Sequence, residues 1–173
     1  MSLALLSVKR FSLRTLLIVT AMFAVFVATP LRRAAIQKRG REWVAAQNGQ
    51  VMFSYKYDPI ADQWNHDERL RVPEWVVGLC GIDLFDSVDT VVLDNTLVTD
   101  LSPITDLQTL RNLAIVIEIA EDLDFSPLAK LPRLQRLHLD YTNISAERLA
   151  ELRALLPNVR VDATNHPPPE RSQ

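Results

Sequence analysis

The chain is poor in the residues that most enzyme chemistries need. Its 173 residues include one cysteine, Cys80, so no internal disulfide can form and thiol content says nothing about redox compartment. Four glycines leave little material for a close phosphate cradle. A formal net charge of −2 is too near neutral to point to nucleic acid or to a strongly acidic partner. Gly-x-Ser-x-Gly, His-Glu-x-x-His and paired-cysteine ligand motifs are missing as well. Cys80 and a histidine are formally a nucleophile and a base, yet Cys80 follows the apolar run Trp75-Val76-Val77-Gly78-Leu79 and reads as a buried small hydrophobe. The expectation is a chain with no catalytic, cofactor-binding or metal-binding residues, and no enzyme.

What is present is a repeated apolar spacing over residues 88–162. Val88-x-x-Val91-x-Leu93, Leu110-x-x-Leu113-x-Ile115, Leu134-x-x-Leu137-x-Leu139 and Leu156-x-x-Val159-x-Val161 align, with middle positions 22, 24 and 22 residues apart. Val91-x-Leu93 and Leu137-x-Leu139 alternate like half-buried strands. Thr96, Thr142 and Thr164 each come three residues after the strand's last apolar position, where a hydroxyl can bond backbone groups as the chain turns away. Val98 and Ile144 then point back inward. Ser102-Pro103-Ile104 is echoed by Ser126-Pro127-Leu128, with Ser placed to cap a short helical turn and Pro suited to its first position. Leu107 and Leu110, then Leu131 and Leu134, close these return segments.

Val98-Thr99-Asp100-Leu101-Ser102-Pro103-Ile104, followed by Leu107 and Leu110, resembles the repeats of bacterial internalin-like leucine-rich repeat proteins, which run to about 22 residues. The resemblance covers less than half the chain and implies a stack of short strands with return segments, in which only stacking buries the apolar face. That class is defined by core positions, so no catalytic residue carries over. The middle turn departs from the pattern: Ile115, Ile117 and Ile119 alternate, Glu118 replaces Thr, and two residues are inserted before Asp124-Phe125-Ser126-Pro127, which predicts a longer strand or a bulge.

Residues 15–31 carry no charge and are rich in Leu, Val, Ala and Phe, with Lys9, Arg10 and Arg14 before them and Arg32 and Arg33 after. A helix of that length spans about 25 Å against a hydrocarbon core of ~30 Å, a shortfall that snorkelling arginines and local thinning absorb. A membrane anchor is therefore expected. A cleaved signal peptide is the competing reading, but its best small-residue site, Val27-Ala28-Thr29, runs straight into Pro30. Arg10-Phe11-Ser12-Leu13-Arg14-Thr15-Leu16-Leu17 resembles the opening of short anchors on bacterial membrane proteins, which implies a location in the cell membrane, single-pass, and nothing chemical. Three basic residues precede the span and five follow (Arg32, Arg33, Lys38, Arg39, Arg41), a count that leans toward a cytoplasmic C-terminal domain, while signal-anchor arrangements give the reverse. Both orientations stay open.

Residues 31–47 favour a second helix, with Ile36, Trp43 and Val44 on one side and Asn48-Gly49 as a stop; it either continues the span as a stalk or packs its Trp43 face on the stack. Residues 50–58 alternate, with Val51, Phe53, Tyr55 and Tyr57 on one face, and read as a strand. An aromatic row at strand spacing is core rather than a platform for stacking sugars or bases. Residues 59–71 read as a solvated loop whose His66-Asp67-Glu68 has too few convergent ligands for a metal. Pro73 opens a short helix with Trp75, Val76 and Leu79 on one face. Ser145 starts a stronger one, with Leu149, Leu152, Leu155 and Leu156 inward.

The expected fold is thus α/β: a short leucine-rich repeat solenoid of parallel strands with helical or 3-10 return segments over 88–164, an N-terminal helix-strand cap and stalk over 32–87, and one transmembrane helix over 15–31. A basic segment (1–14) precedes these and a disordered tail (165–173) follows. The outward strand positions form two expected rows: Val92, Ala114, His138 and Arg160, then Asp94, Val116, Asp140 and Asp162. Asp94, His138, Asp140, Arg160 and Asp162 are the candidate partner-binding residues. Four short strands offer on the order of 200 Å², against the ~800 Å² per partner of a standard interface, so a protein partner must also touch the flanks or be concentrated by the anchor. The expected function is a membrane-anchored protein-interaction or scaffolding module. The alternative is a structural cell-envelope component that self-associates through its repeats. Neither involves nucleic acid.

Overall fold

The computed structural model describes residues 13–58, 63–64, 70, 72–94, 97–116, 118–120, 122–140 and 142–164. The basic segment before residue 13, the loop with His66-Asp67-Glu68, Thr96, Ile117 and the tail from 165 lie outside the described residues.

Helix α1 (Leu13–Ala46) runs unbroken for 34 residues, about 50 Å at ~1.5 Å per residue. The segments expected to be helical over 15–31 and 31–47 form one helix, the continuous course among the two readings of 31–47. Its first half is apolar and exposed, from Leu16 to Leu31, with Phe26 78% accessible. The hydroxyls of Thr20 and Thr29 donate back to the Leu16 and Val25 carbonyls, which satisfies them without water. It is the one described helix long and apolar enough to cross a membrane, and none of its most apolar window is buried. Such a helix is compatible with a membrane span or a signal sequence.

The second half of α1 packs on the domain. Gly40 permits the approach: a Cβ there would stand 2.8 Å from Leu107 Cδ2, and Leu107 is itself buried. Val44 is fully buried, and Trp43 is partly buried against the same core. Arg41 forks onto Asp83, Nη2 to Oδ2 at 2.9 Å and Nε to Oδ1 at 3.2 Å, while Gln37 donates to the Asp86 carbonyl at 2.9 Å. Asn48 ends the helix in the left-handed region (φ 53°), and the Gly49 amide bonds back to the Val44 carbonyl at 2.9 Å.

Beyond it stands a five-stranded, mostly parallel sheet ordered β1-β4-β5-β6-β7. Strand β1 (Gln50–Phe53) runs antiparallel to β4 (Val88–Leu93), with a bulge at Met52/Phe53. Strands β4, β5 (Asn112–Ile115), β6 (Arg136–Asp140) and β7 (Arg160–Thr164) are parallel. Two residue pairs, β2 (Tyr57–Asp58) and β3 (Gln63–Trp64), make a separate two-stranded ribbon. The single strand expected over 50–58 therefore breaks at Phe53. Asp86 causes the break by accepting from Ser54 Oγ at 2.5 Å and from the Tyr55 amide at 3.1 Å, which winds Ser54–Lys56 into a 3-10 turn.

The core lies on one face of the sheet. Val91, Leu113, Leu137 and Val161 pair strand to strand, all 8% accessible or less, and Leu93, Ile115 and Leu139 form the next row. The last pairing corrects the expected register: Val161, not Val159, stands opposite Leu137, so the step is 24 residues. The Val159 amide bonds to the Leu156 carbonyl as the Leu134 amide bonds to that of Leu131, so Leu156 is the counterpart of Leu131 and the strand begins later.

The return segments explain the rest of the spacing. The 3-10 turns Ser102–Asp106 and Ser126–Lys130 bury Ile104 and Leu128, with Leu107, Leu110, Leu131 and Leu134 behind them. The capping group in each is the preceding aspartate rather than the serine: Asp100 and Asp124 accept the Ser102 and Ser126 amides at 2.8 Å. Helix α3 (Ala146–Leu155) replaces the third turn; Ser145 caps it by accepting the Arg148 amide, and Leu152 and Leu156 are buried, whereas Leu155 is 41% accessible. The longer strand expected in the middle turn is not found among the described residues: β5 stops at Ile115, and Ile119 makes a parallel bridge to Val98 while its amide donates to Asn143 Oδ1. The expected threonine turn hydroxyls are not a common device: Thr164 is in β7, and the buried Thr142 Oγ1 has no partner among the described residues.

Candidate functional site

The opposite face of the sheet is half-exposed. Parallel sheets are ordinarily covered on both sides, but here the two middle strands β5 and β6 alternate buried and accessible residues, as β6 does with Arg136, His138 and Asp140 outward and Leu137 and Leu139 inward, while β4 is buried along most of its length.

Strand pairing sets which outward side chains are neighbours. One row is Thr90, Asn112, Arg136 and Arg160; the next is Val92, Ala114, His138 and Asp162; the third pairs Asp140 with Thr164. The expected rows are corrected by the two-residue slip of β7. Asp162, not Arg160, lies beside His138, and Asp140 faces Thr164 rather than Asp162.

Four of the five candidate residues come together. His138 Nε2 meets Asp140 Oδ2 at 2.7 Å, and Arg160 Nε meets Asp162 Oδ2 at 2.9 Å, both pairs running along a strand and the two strands adjacent. The patch is wet: His138 is 46% and Arg160 75% accessible, so each pair contributes about 0–1 kcal/mol. Asp94 is not brought in; it follows the end of β4, two strands from β6 and on the order of 10 Å away.

A tighter polar network sits at the start of the strands, unforeseen from the sequence. Asp89 is 4% accessible and accepts from Asn112 Nδ2 at 3.1 Å and Thr90 Oγ1 at 3.2 Å, with Arg111 Nε at 3.6 Å. Asn112 Nδ2 also reaches Thr90 Oγ1 at 2.9 Å, and its Oδ1 accepts Arg136 Nε at 2.8 Å. The signal was present in Asp89-Thr90 and Arg111-Asn112, polar pairs one repeat apart. A buried carboxylate satisfied in this way fixes the strand ends, and the ladder Thr90–Asn112–Arg136 carries that order out to the exposed face.

Among the described residues, two carboxyl groups are shifted, both downward. The Asp100 carboxyl is held below its ordinary value of 3.8, first by the Ser102 amide and then by the Ser102 hydroxyl. Asp124 is lowered in the same way, the Ser126 hydroxyl first and its amide second. Both belong to caps, away from the patch.

Cys80 is exposed on α2 (Glu74–Cys80), which corrects the expectation of a buried thiol: the apolar run before it faces outward, with Trp75 71% and Leu79 79% accessible. Among the described residues, no group of three or more His, Cys, Asp or Glu converges as metal ligands. A crevice of about 390 Å³ lies where α1 meets the turn Ile82–Leu84, lined by Thr29, Pro30, Arg33, Gln37, Asp83 and Phe85 among others. No protein-family model matches the chain, and no curated protein or solved structure matches it either.

Proposed function

We propose that the chain is a membrane-anchored protein-interaction module of the leucine-rich repeat type, a short solenoid presented on a single-pass anchor and acting without catalysis. The observation that carries this reading is the pairing of Val91, Leu113, Leu137 and Val161 in parallel register at steps of 22, 24 and 24 residues, which leaves one face of the sheet uncovered. The apolar, exposed first half of α1 supports the anchor. His138, Asp140, Arg160 and Asp162 would supply the polar contacts of the interface, and confinement to a surface would raise the effective concentration of a partner whose contact area is small.

Self-association is the second reading, favoured by β7, which has a strand neighbour on one side only among the described residues. An edge of that kind templates pairing with another chain. Both readings are tested by placing a photo-crosslinking side chain at Asp162 in cells. An adduct with a different protein, lost when His138 and Arg160 are changed to alanine, supports the interaction module. An adduct of two copies of the chain supports self-association, and no adduct overturns both.

A further inference from the structure

We infer that α2 is a second membrane contact: its Trp75 and Leu79 seat in the headgroup region of the leaflet from which α1 emerges. The inference rests on reading α1 as an anchor and adds where the domain sits on the lipid.

Trp75 and Leu79 are four residues apart and share one side of α2. They are 71% and 79% accessible, and no residue of α2 is buried. Position selects lipid as the occupant. Gly81, at φ 83°, turns the chain directly from α2 into the 3-10 turn Ile82–Leu84, against which α2 packs. That turn is pinned to α1 through Asp83, which Arg41 and Gln37 both hold. Phe85, the next residue, is 36% accessible and lines the same crevice as Thr29, Pro30 and Arg33. These α1 residues mark the last turn of the uncharged stretch and the first cations beyond it. Phe85 therefore lies at the level where an inserted α1 would cross from hydrocarbon to headgroups, and the root of α2, held through Asp83 by Gln37 and Arg41, lies about one to two helical turns beyond Arg33, on the headgroup side. Tryptophan favours that layer, since its ring is apolar and its indole N–H finds acceptors there. Arg32 and Arg33 at the same level suit an anionic lipid surface.

The single cysteine supplies the probe. A nitroxide on native Cys80 of the full chain, reconstituted into phosphatidylethanolamine–phosphatidylglycerol vesicles, is compared with one on Asn158→Cys in a Cys80→Ser background. The expected result is a marked shift at Cys80 toward collision with dissolved oxygen and away from a water-soluble nickel chelate, relative to position 158. Trp75→Ser with Leu79→Ser, both on exposed positions, returns the Cys80 label to the values at 158 while the protein still floats with the vesicles. Flotation with a Cys80 label already as open to nickel as position 158 overturns the inference and leaves the anchor standing. Dipolar broadening between Cys80 labels also overturns it, since copies of the chain would then cover this face. Failure to float removes the anchor and the inference together.

Discussion

Leu137 occupies the centre of the inner column, fully buried between Leu113 and Val161. Truncation to alanine removes its packing and leaves a cavity that flanking strands cannot close, so Leu137→Ala is expected to lower stability by ~2–5 kcal/mol. A urea titration of the detergent-solubilised chain measures this, and a cost near zero would place Leu137 outside the core. Asp100 and Asp124 make a different prediction. Their carboxyl groups titrate lower in the folded state than in the unfolded chain, so each adds stability that is present above the ordinary carboxylate value and lost as pH falls through the lowered one. The unfolding midpoint should therefore drop as pH falls through the ordinary carboxylate value of 3.8 and below it. Asp100→Asn with Asp124→Asn keeps an acceptor for each serine amide and should flatten part of that dependence; an unchanged slope would remove these caps as its source. The buried leucines were legible because every strand must present apolar groups to one face at a fixed spacing. The caps were not, because Asp and Ser stand two residues apart and either can accept an amide. Nor was Cys80, since an apolar run reads the same whichever way it faces.

Among the elements, α1 meets the end of the turn Ser102–Asp106 at Gly40, where an added methyl would stand 2.8 Å from Leu107 Cδ2 and 3.2 Å from Asp106 Cβ. Leu107 has no free side to retreat to, so Gly40→Ala is expected to cost about 1–3 kcal/mol. Amide exchange should accelerate along the turn and in residues 37–44, and unchanged exchange would show that α1 is not seated there. Helix α3 depends on Ser145, whose hydroxyl accepts the Arg148 amide at 3.2 Å. Ser145→Ala should cost ~1 kcal/mol and fray the first turn in the same exchange measurement. Element identity was readable wherever local signals agreed, as with Ser145 and the leucines after it. Register was not readable across α3, because a helix and a 3-10 turn use different numbers of residues to cover the same distance, and β7 slipped by two. That slip exchanged Arg160 for Asp162 as the neighbour of His138, so four of the five candidate residues lie together on the sheet in an arrangement other than the expected one. The break at Phe53 was also unreadable locally, since it depends on Asp86, more than 30 residues away.

For the whole molecule, the proposed anchor predicts that the chain sediments with membranes and resists alkaline extraction. Protease should reach the sheet domain from one side only, in either intact cells or inverted vesicles. A soluble, shortened chain would identify residues 15–31 as a cleaved signal instead. The unbroken course of α1 has a mechanical consequence. A hinge between its apolar half and its packed half would let the sheet tumble freely; a single helix, clamped to the domain by Arg41, Gln37 and Val44, acts as a stiff shaft. Whatever grips the exposed end sets the elevation and the compass bearing of His138 and Asp162 together.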